Sequence, residues 1–408
     1  MINYKLSFIE SPSEIEINLN SSKSESNRLL IIKSLSDNKI ELENLSHAND
    51  TVLLKNLIRS NSQNIWDSED AGTTMRFLTS FLAVTKQGVL LTGTERMKKR
   101  PIKILVDALN KIGAEISYTE KDGYPPIKIN RKISQIKESI SIRGDISSQY
   151  ISSLLMIAPV LPNGLKIDVM PPFYSKPYVM MTLNLMKKFG IKYDLSEYSI
   201  SINNQKYKSG SYKVESDWSA ASYWYSFISI NKKLKEIKLK GLREHSLQGD
   251  QVIKKIMTLF NVETLYDKDG IILRKKDFDC EYLELDFKDC PDLAQTVLVV
   301  AAFHKVKLKL YGVESLKIKE TDRLKAMSNE LKKIGVNFYD DNGVWILDKR
   351  NNEFSNEASI ETYKDHRMAM AFAPLASEIN ITINNPDVVN KSYPTFWEDM
   401  KKAGYDII

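Results

Sequence analysis

The sequence predicts an α/β (α+β) fold of six βαβαββ-like units, three in each of two lobes, with the first unit truncated. Three features predict it. An amphipathic helix followed by a glycine and a strand hairpin recurs along the chain. A second series of helices is apolar on nearly every side. The length of 408 residues exceeds one ordinary core and suggests two domains of about 200 residues each.

The first series has four clear members, at Ile104–Ile129, Val179–Ile202, Val252–Leu273 and Leu324–Leu347. Gly113, Gly190 and Gly335 stand where a helix end needs a left-handed residue, and Asn261 serves that role less well. Asp122-Gly123, Asp269-Gly270 and Asn342-Gly343 read as hairpin turns. The second series runs from Ser24, Asp70, Ser147, Asp217, Asp292 and Asp365, each a good N-cap residue type. Six such helices imply six units, so the amphipathic series needs two more members. Asp50–Ser60 and Thr395–Ile408 supply them, the first without its glycine and hairpin. Ile2–Ile9 is then the partner strand of the last unit. This makes the lobes discontinuous: residues 1–20 with 215–408 form one and 21–214 the other. The chain crosses near Asn18–Ser22 and returns near Tyr212–Asp217. A double connection leaves a cleft, a usual place for a ligand.

Composition narrows the function classes. No run of 18 apolar residues occurs, and Met1–Lys5 leads into a strand-like segment without a signal peptide's apolar stretch. Two cysteines, Cys280 and Cys290, fit a reducing cytoplasm rather than a disulfide framework. His47, His245, His304 and His366 lie far apart with no ligand spacing, so no metal is expected. The net charge of +6 is spread over 58 basic and 52 acidic side chains. Many of the bases, such as Lys187-Lys188 and Lys332-Lys333, belong to solvated helix faces.

Polar residues of the buried helices cluster at their N-termini, where free N–H groups and the helix dipole attract anions. Ordinary capping explains any one of them; the adjacent bases do not follow from capping. Lys23 precedes a helix and Arg28 lies in its first turns, where positive charge opposes the dipole. Arg96 stands at a strand-to-helix turn. Lys319 and Arg323 are four apart in a segment read as the start of a helix, hence on one face. Arg367 sits beside His366 at the start of another. A buried arginine usually has a carboxylate partner, and Asp365 or Asp322 is available. Lys391 taken alone reads as a solvated lysine.

At these positions the chain resembles the shikimate-pathway enolpyruvyl transferases. The motifs are Lys-Ser-x-Ser-Asn-Arg at 23–28, Ala-Gly-Thr-Thr-Met-Arg at 71–76 and Thr-Glu-Arg-Met-Lys-x-Arg-Pro at 94–101. Gly144–Gln149, Ser175–Tyr178, Pro291-Asp292, Lys-Glu-Thr-Asp-Arg-Leu at 319–324, Asp-His-Arg-Met-Ala-Met at 365–370 and Lys391 follow in order. The resemblance spans residues 20 to 400 and implies the family's two-lobe, six-unit fold. It implies shikimate-3-phosphate on Lys23, Ser24, Arg28, Ser147, Ser148, Gln149, Ser175, Tyr178, Asp292, Ser315 and Lys319. Phosphoenolpyruvate falls to Lys23, Gly72, Arg96, Gln149, Arg323, Arg367 and Lys391. Two phosphates and two carboxylates suit a dense Arg/Lys set.

The resemblance further implies addition–elimination through a tetrahedral intermediate. Asp292 is the base for the acceptor hydroxyl, and Lys23 and Glu320 are candidates for proton traffic at the methylene carbon. A carboxylate ringed by cations stays ionised, and cationic side chains replace a metal or cofactor. The implied protein is a monomeric cytoplasmic enzyme. It binds neither nucleic acid nor membrane, and is sensitive to glyphosate because Gly72 leaves room there. Three departures from the family pattern stand out: Asp70 in place of Asn, Ser315 in place of Asn, and a short segment over 61–69. The sister transferases acting on UDP-N-acetylglucosamine are the nearest alternative, but they have Lys-Asn at the first motif and commonly an N-lobe cysteine. A non-catalytic polyanion binder is the other alternative; it calls for interleaved surface aromatics, whereas Tyr223, Trp224, Tyr225 and Phe227 fall inside an apolar helix.

Overall fold

The computed structural model describes residues 2–10, 14–60, 63–277, 279–348 and 355–408. The chain divides into two compact units, Ser22–Val214 and Met1–Ser21 with Glu215–Ile408.

Six helices organise the unit Ser22–Val214: α1 (Lys23–Leu35), α2 (Asn49–Arg59), α3 (Gly72–Thr85), α4 (Lys103–Ile112), α5 (Ser148–Ile157) and α6 (Lys176–Lys188). Helices α1, α3 and α5 touch one another, and α3 is buried continuously from Thr74 to Ala83. The sequence of such a helix must be apolar all round, because no face meets water. Helix α4 instead buries Leu105, Val106, Ala108, Leu109 and Ile112, a single stripe at helical spacing. Its end is set by Gly113 at φ 120°.

Each complete sheet follows one plan. Ile65–Asp67 and Val89–Thr92, the strands flanking α3, are parallel neighbours. Parallel strands require a crossover, and the buried helix is that crossover. Ile127–Arg131 then joins antiparallel, leaving Glu115–Tyr118 at the edge. Ser139–Arg143, Leu165–Met170, Ser199–Ile202 and Asp194–Leu195 repeat the plan around α5. The truncated unit is a two-stranded sheet, Ile40–Glu43 parallel to Gly210–Lys213. Part of the short segment after α2, residues 61 and 62, lies outside the described residues.

The other unit holds α7 (Trp218–Ile230), α8 (Ile253–Thr258), α9 (Ala294–Phe303), α10 (Arg323–Lys333), α11 (His366–Phe372) and α12 (Phe396–Lys402). Helices α7, α9 and α11 again touch one another, and Tyr223, Trp224, Tyr225 and Phe227 are core residues. Its sheets obey the same plan, and Asn3–Phe8 completes the last one by pairing with Tyr405–Ile407.

Two short strands run against chain order. Glu16–Asn18 directly precedes α1, yet it pairs parallel with Glu236–Lys240, the strand after α7. Gly210–Lys213 precedes α7, yet it pairs with the strand after α1. The sequence places the lobe crossings near Asn18–Ser22 and Tyr212–Asp217 and predicts neither strand, because three or four residues are too few to show an alternation.

Local corrections follow from competing hydrogen bonds. Ser22, not Ser24, caps α1, accepting from Glu25 N at 3.3 Å. Asp70 accepts from the Thr94 hydroxyl and leaves Ala71 as the N-cap of α3. Asp292 lies in the single turn Pro291–Leu293 ahead of α9, with its carboxylate engaged by arginines. Ser147, Asp217 and Asp365 do cap their helices. Asn342 and Gly343, at φ 54° and 91°, form the expected tight turn. Gly270 instead starts a strand; the turn before it is tied by Asp267, whose Oδ1 accepts from Asp269 N and Gly270 N. A Cβ on Gly270 would meet Leu239 O at 2.1 Å, so close backbone approach requires the glycine.

His304, at the end of α9, lies 2.8 Å through Nε2 from Ser229 Oγ. Burial, aided by the Lys275 charge, pushes its imidazole down to about 4. The unfolded value is about 6.5, so the unfolded chain binds more protons between the two. Stability from His304 is therefore complete above pH ~6.5 and is lost as pH falls toward the folded value. His304→Gln should flatten the fall in urea midpoint between pH ~7 and pH ~5. An unchanged slope would place that pH dependence elsewhere.

Candidate active site

In the unit Ser22–Val214, the N-terminal ends of α1, α3 and α5 carry linked polar side chains. Lys23 opens α1, and its Nζ lies 3.2 Å from Asp50 Oδ2 in the first turn of α2. The Asp50 carbonyl accepts from Thr74 Oγ1 of α3 at 3.1 Å. Gln149 Nε2 of α5 donates to Thr73 Oγ1 at 3.0 Å. Ser147 caps α5 through Gln149 N, and Ser148 is buried beside it. Ser175 precedes α6 in a left-handed conformation, at φ 55°.

Arg28 is only 3% exposed. Its Nε donates to Thr182 Oγ1 at 2.7 Å, and Nη1 to Ser24 O at 2.9 Å. Nη2 donates to Ser152 Oγ and Tyr178 O, both at 3.3 Å. Every acceptor is neutral, and burial pushes the guanidinium down to about 10, which leaves it charged at neutral pH. The charges of Tyr178 and of the buried Glu25 carboxylate oppose that shift, so Arg28 is not without negative charge nearby. Arg96 lies between Val89–Thr92 and the single turn Met97–Lys99. Gly72 opens α3 against Arg100: a Cβ there would stand 2.5 Å from Arg100 Nη1. Arg100 belongs to the motif at 94–101 but not to the substrate-binding residues that the resemblance implies, since nothing in its spacing brings it to α3.

The other unit concentrates charge around Arg323, the first residue of α10. Arg323 is 1% exposed. Its Nε lies 2.7 Å from Asp365 Oδ2, its Nη1 3.0 Å from Asp292 Oδ1 and its Nη2 2.8 Å from Glu320 Oε2. Arg367 holds the second oxygen of Asp292, Nη2 to Oδ2 at 2.7 Å. Its Nη1 donates to the Asp292 carbonyl at 3.1 Å and to the Tyr223 hydroxyl at 3.2 Å. Asp292 thus bridges two arginines. Burial works against its charge, but Arg367, Lys319 and Arg323 outweigh that and hold the carboxyl well below the usual carboxylate range. Its side chain is 23% exposed, so the carboxylate remains within reach of a substrate.

Of the two carboxylates offered as partners by the sequence, Asp365 takes Arg323, while Asp322 caps α10 through Lys325 N. Lys319 lies outside α10, just after the turn Glu314–Ile318, so helical spacing does not relate it to Arg323. It reaches Asp292 through its charge. Lys391 ends the turn Pro386–Lys391. Ser315 sits in the turn Glu314–Ile318 and, among the described residues, makes no hydrogen bond to this cluster. Asp50, Tyr223, Ser152 and Thr182 escaped the sequence reading, because each acts on a residue far away in the chain.

A protein-family model described as EPSP synthase (3-phosphoshikimate 1-carboxyvinyltransferase) matches residues 54–400. The chain belongs to the EPSP synthase family. The 3-phosphoshikimate 1-carboxyvinyltransferase of Bacteroides fragilis is 45% identical over 406 residues, covering 98% of each chain. That of Buchnera aphidicola is 37% identical over 416 residues, covering 94% of this chain and 95% of its own. The solved EPSP synthase of Acinetobacter baumannii matches with a TM-score of 0.78 over 100% of this chain and 99% of its own. At 20% identity that match speaks for the EPSP synthase fold. Among the described residues no group of metal ligands is present, and no helix is long and apolar enough to cross a membrane.

Proposed function

We propose that this EPSP synthase family member transfers the enolpyruvyl group of phosphoenolpyruvate to the 5-hydroxyl of shikimate-3-phosphate, releasing phosphate, in aromatic amino acid biosynthesis. The observation that carries the reading is the Asp292 carboxylate, kept ionised between Arg323 and Arg367. An ionised carboxylate beside bound cations is a competent base for a hydroxyl proton.

In the proposed reaction a proton adds to the methylene carbon of phosphoenolpyruvate, and the 5-oxygen bonds to C2 as Asp292 takes the hydroxyl proton. The tetrahedral intermediate then loses a methyl proton and phosphate leaves, restoring the double bond. Lys23 and Glu320 are the proposed proton carriers at that carbon. Arg28, with Ser147, Ser148 and Gln149, is assigned to shikimate-3-phosphate, whose phosphate suits a buried guanidinium. Arg96, Arg323, Arg367 and Lys391 are assigned to phosphoenolpyruvate, whose developing charge they stabilise.

The test is phosphate release from phosphoenolpyruvate with shikimate-3-phosphate as acceptor. Release is expected with that acceptor and not with UDP-N-acetylglucosamine; none above background with shikimate-3-phosphate sinks the reading. The same reading makes glyphosate a competitor of phosphoenolpyruvate. Gly72→Ala would displace the Arg100 guanidinium, the far end of a flexible side chain. The fold should therefore survive, while KM for phosphoenolpyruvate and the inhibition constant of glyphosate both rise roughly tenfold. Unimpaired turnover of the unsubstituted protein at saturating glyphosate contradicts the glyphosate assignment.

A further inference from the structure

The connection from the strand Glu357–Ile360 to α11 is strained. Tyr363 and Lys364 both lie in the left-handed region, at φ 51° and 57°. Asp365 N donates to Thr362 O at 2.8 Å, closing a turn around them. Two successive left-handed residues favour Gly, Asn or Asp, because a larger side chain crowds its own backbone. Strain of this kind persists only where the surroundings over-determine it, and it clusters at functional sites.

Here the surroundings are a buried carboxylate on α10. Glu330, 0% exposed, accepts from the Tyr363 hydroxyl through Oε1 at 2.8 Å. Its Oε2 accepts from Glu361 N at 3.0 Å and from Lys333 Nζ at 2.6 Å. Thr362 Oγ1 adds a bond to Asn384 O at 2.8 Å. The helix that carries Glu330 begins with Arg323, and the turn that Glu330 holds ends on Asp365. Both partners of the central ion pair are thus tied together a second time, about two helical turns along α10.

We propose that Glu330 and Tyr363 are positioning residues for the Arg323–Asp365–Arg367 cluster. Their contact holds a strained turn in the conformation that presents Asp365 to Arg323 and caps α11 at Arg367 N. A buried glutamate satisfied by Lys333 alone would need no contact with the turn. The kinetic side of this inference rests on the assignment of Arg323 and Arg367 to phosphoenolpyruvate.

Tyr363→Phe removes one hydroxyl and keeps the ring. It should raise KM for phosphoenolpyruvate about fivefold or more, as expected for a lost hydrogen bond to a charged group. KM for shikimate-3-phosphate should stay within about twofold. Adding Lys364→Gly should restore the first KM, because glycine adopts that backbone without strain. Equal change in both constants, a lowered melting temperature with unchanged constants, or no restoration by glycine overturns the proposal. Hydrogen exchange at the amides of residues 365–368 reads the same device without substrate. It should speed up in Tyr363→Phe and slow again on adding Lys364→Gly. Unchanged exchange overturns the positioning role, whereas an unsubstituted protein that releases no phosphate counts against the functional reading alone.

Discussion

Asp292→Asn is expected to lower kcat by about 10²- to 10⁴-fold, the span supplied by a positioned general base. The substitution keeps the shape and removes the charge that accepts the proton. The loss should fall on kcat rather than on KM for phosphoenolpyruvate. Asp292 shares Arg323 with Glu320 and Asp365 and also pairs with Arg367. Removing its charge leaves the cluster more positive, which does not weaken the hold on an anion. Near-normal kcat at saturating substrates would refute the assignment. The pH profile gives a second reading. The folded carboxyl lies below the unfolded value of about 3.9. Its contribution to stability is present above that value and is lost as pH falls through the folded one. Between pH ~5 and pH ~8 the base stays ionised, so an acidic limb of kcat/KM in that range belongs to another group. Asp292→Asn should leave such a limb in place.

Asp365→Ala should destabilise its unit by about 3–5 kcal/mol, the range for breaking a buried ion pair by removing one partner. Arg323 would keep Asp292 and Glu320, both more exposed than the fully buried Asp365. The substitution also removes the cap that accepts from Arg367 N at 2.9 Å, a further ~1 kcal/mol. A typical domain is stable by only about 5–15 kcal/mol, so the combined loss is a large fraction. With two compact units, a single unfolding free energy is not well defined. Hydrogen exchange over α10 and α11 is therefore the appropriate measurement. A change below about 1 kcal/mol there would show that Asp292 and Glu320 suffice for Arg323. Asp365→Asn, which retains an acceptor for the cap, should recover part of the loss.

The motifs of the candidate site are legible in the sequence because they are local. Lys23 through Arg28, Ser147 through Gln149 and Asp365 through Arg367 each sit at one helix start, where capping residues and bases stand side by side in sequence. Partner choice was not legible. Arg323 meets Asp365 across 42 positions, and Arg28 meets Thr182 across 154. Asp50 and Tyr223 carried no signal, because an aspartate in the first turn of a helix and a tyrosine in an apolar helix both have sufficient local explanations.

The sequence by itself determined the six alternations of buried and amphipathic helix, the truncated first unit and the hairpin at Asn342-Gly343. Periodicity and turn chemistry act over a few residues, so they can be read without the fold. Only the tertiary structure decided that Glu16–Asn18 and Gly210–Lys213 pair with strands remote in sequence, and that Asp292 bridges two arginines. Those outcomes depend on which backbone edges and charges packing brings together. Short strands and isolated charges hold too little local preference to announce their partners.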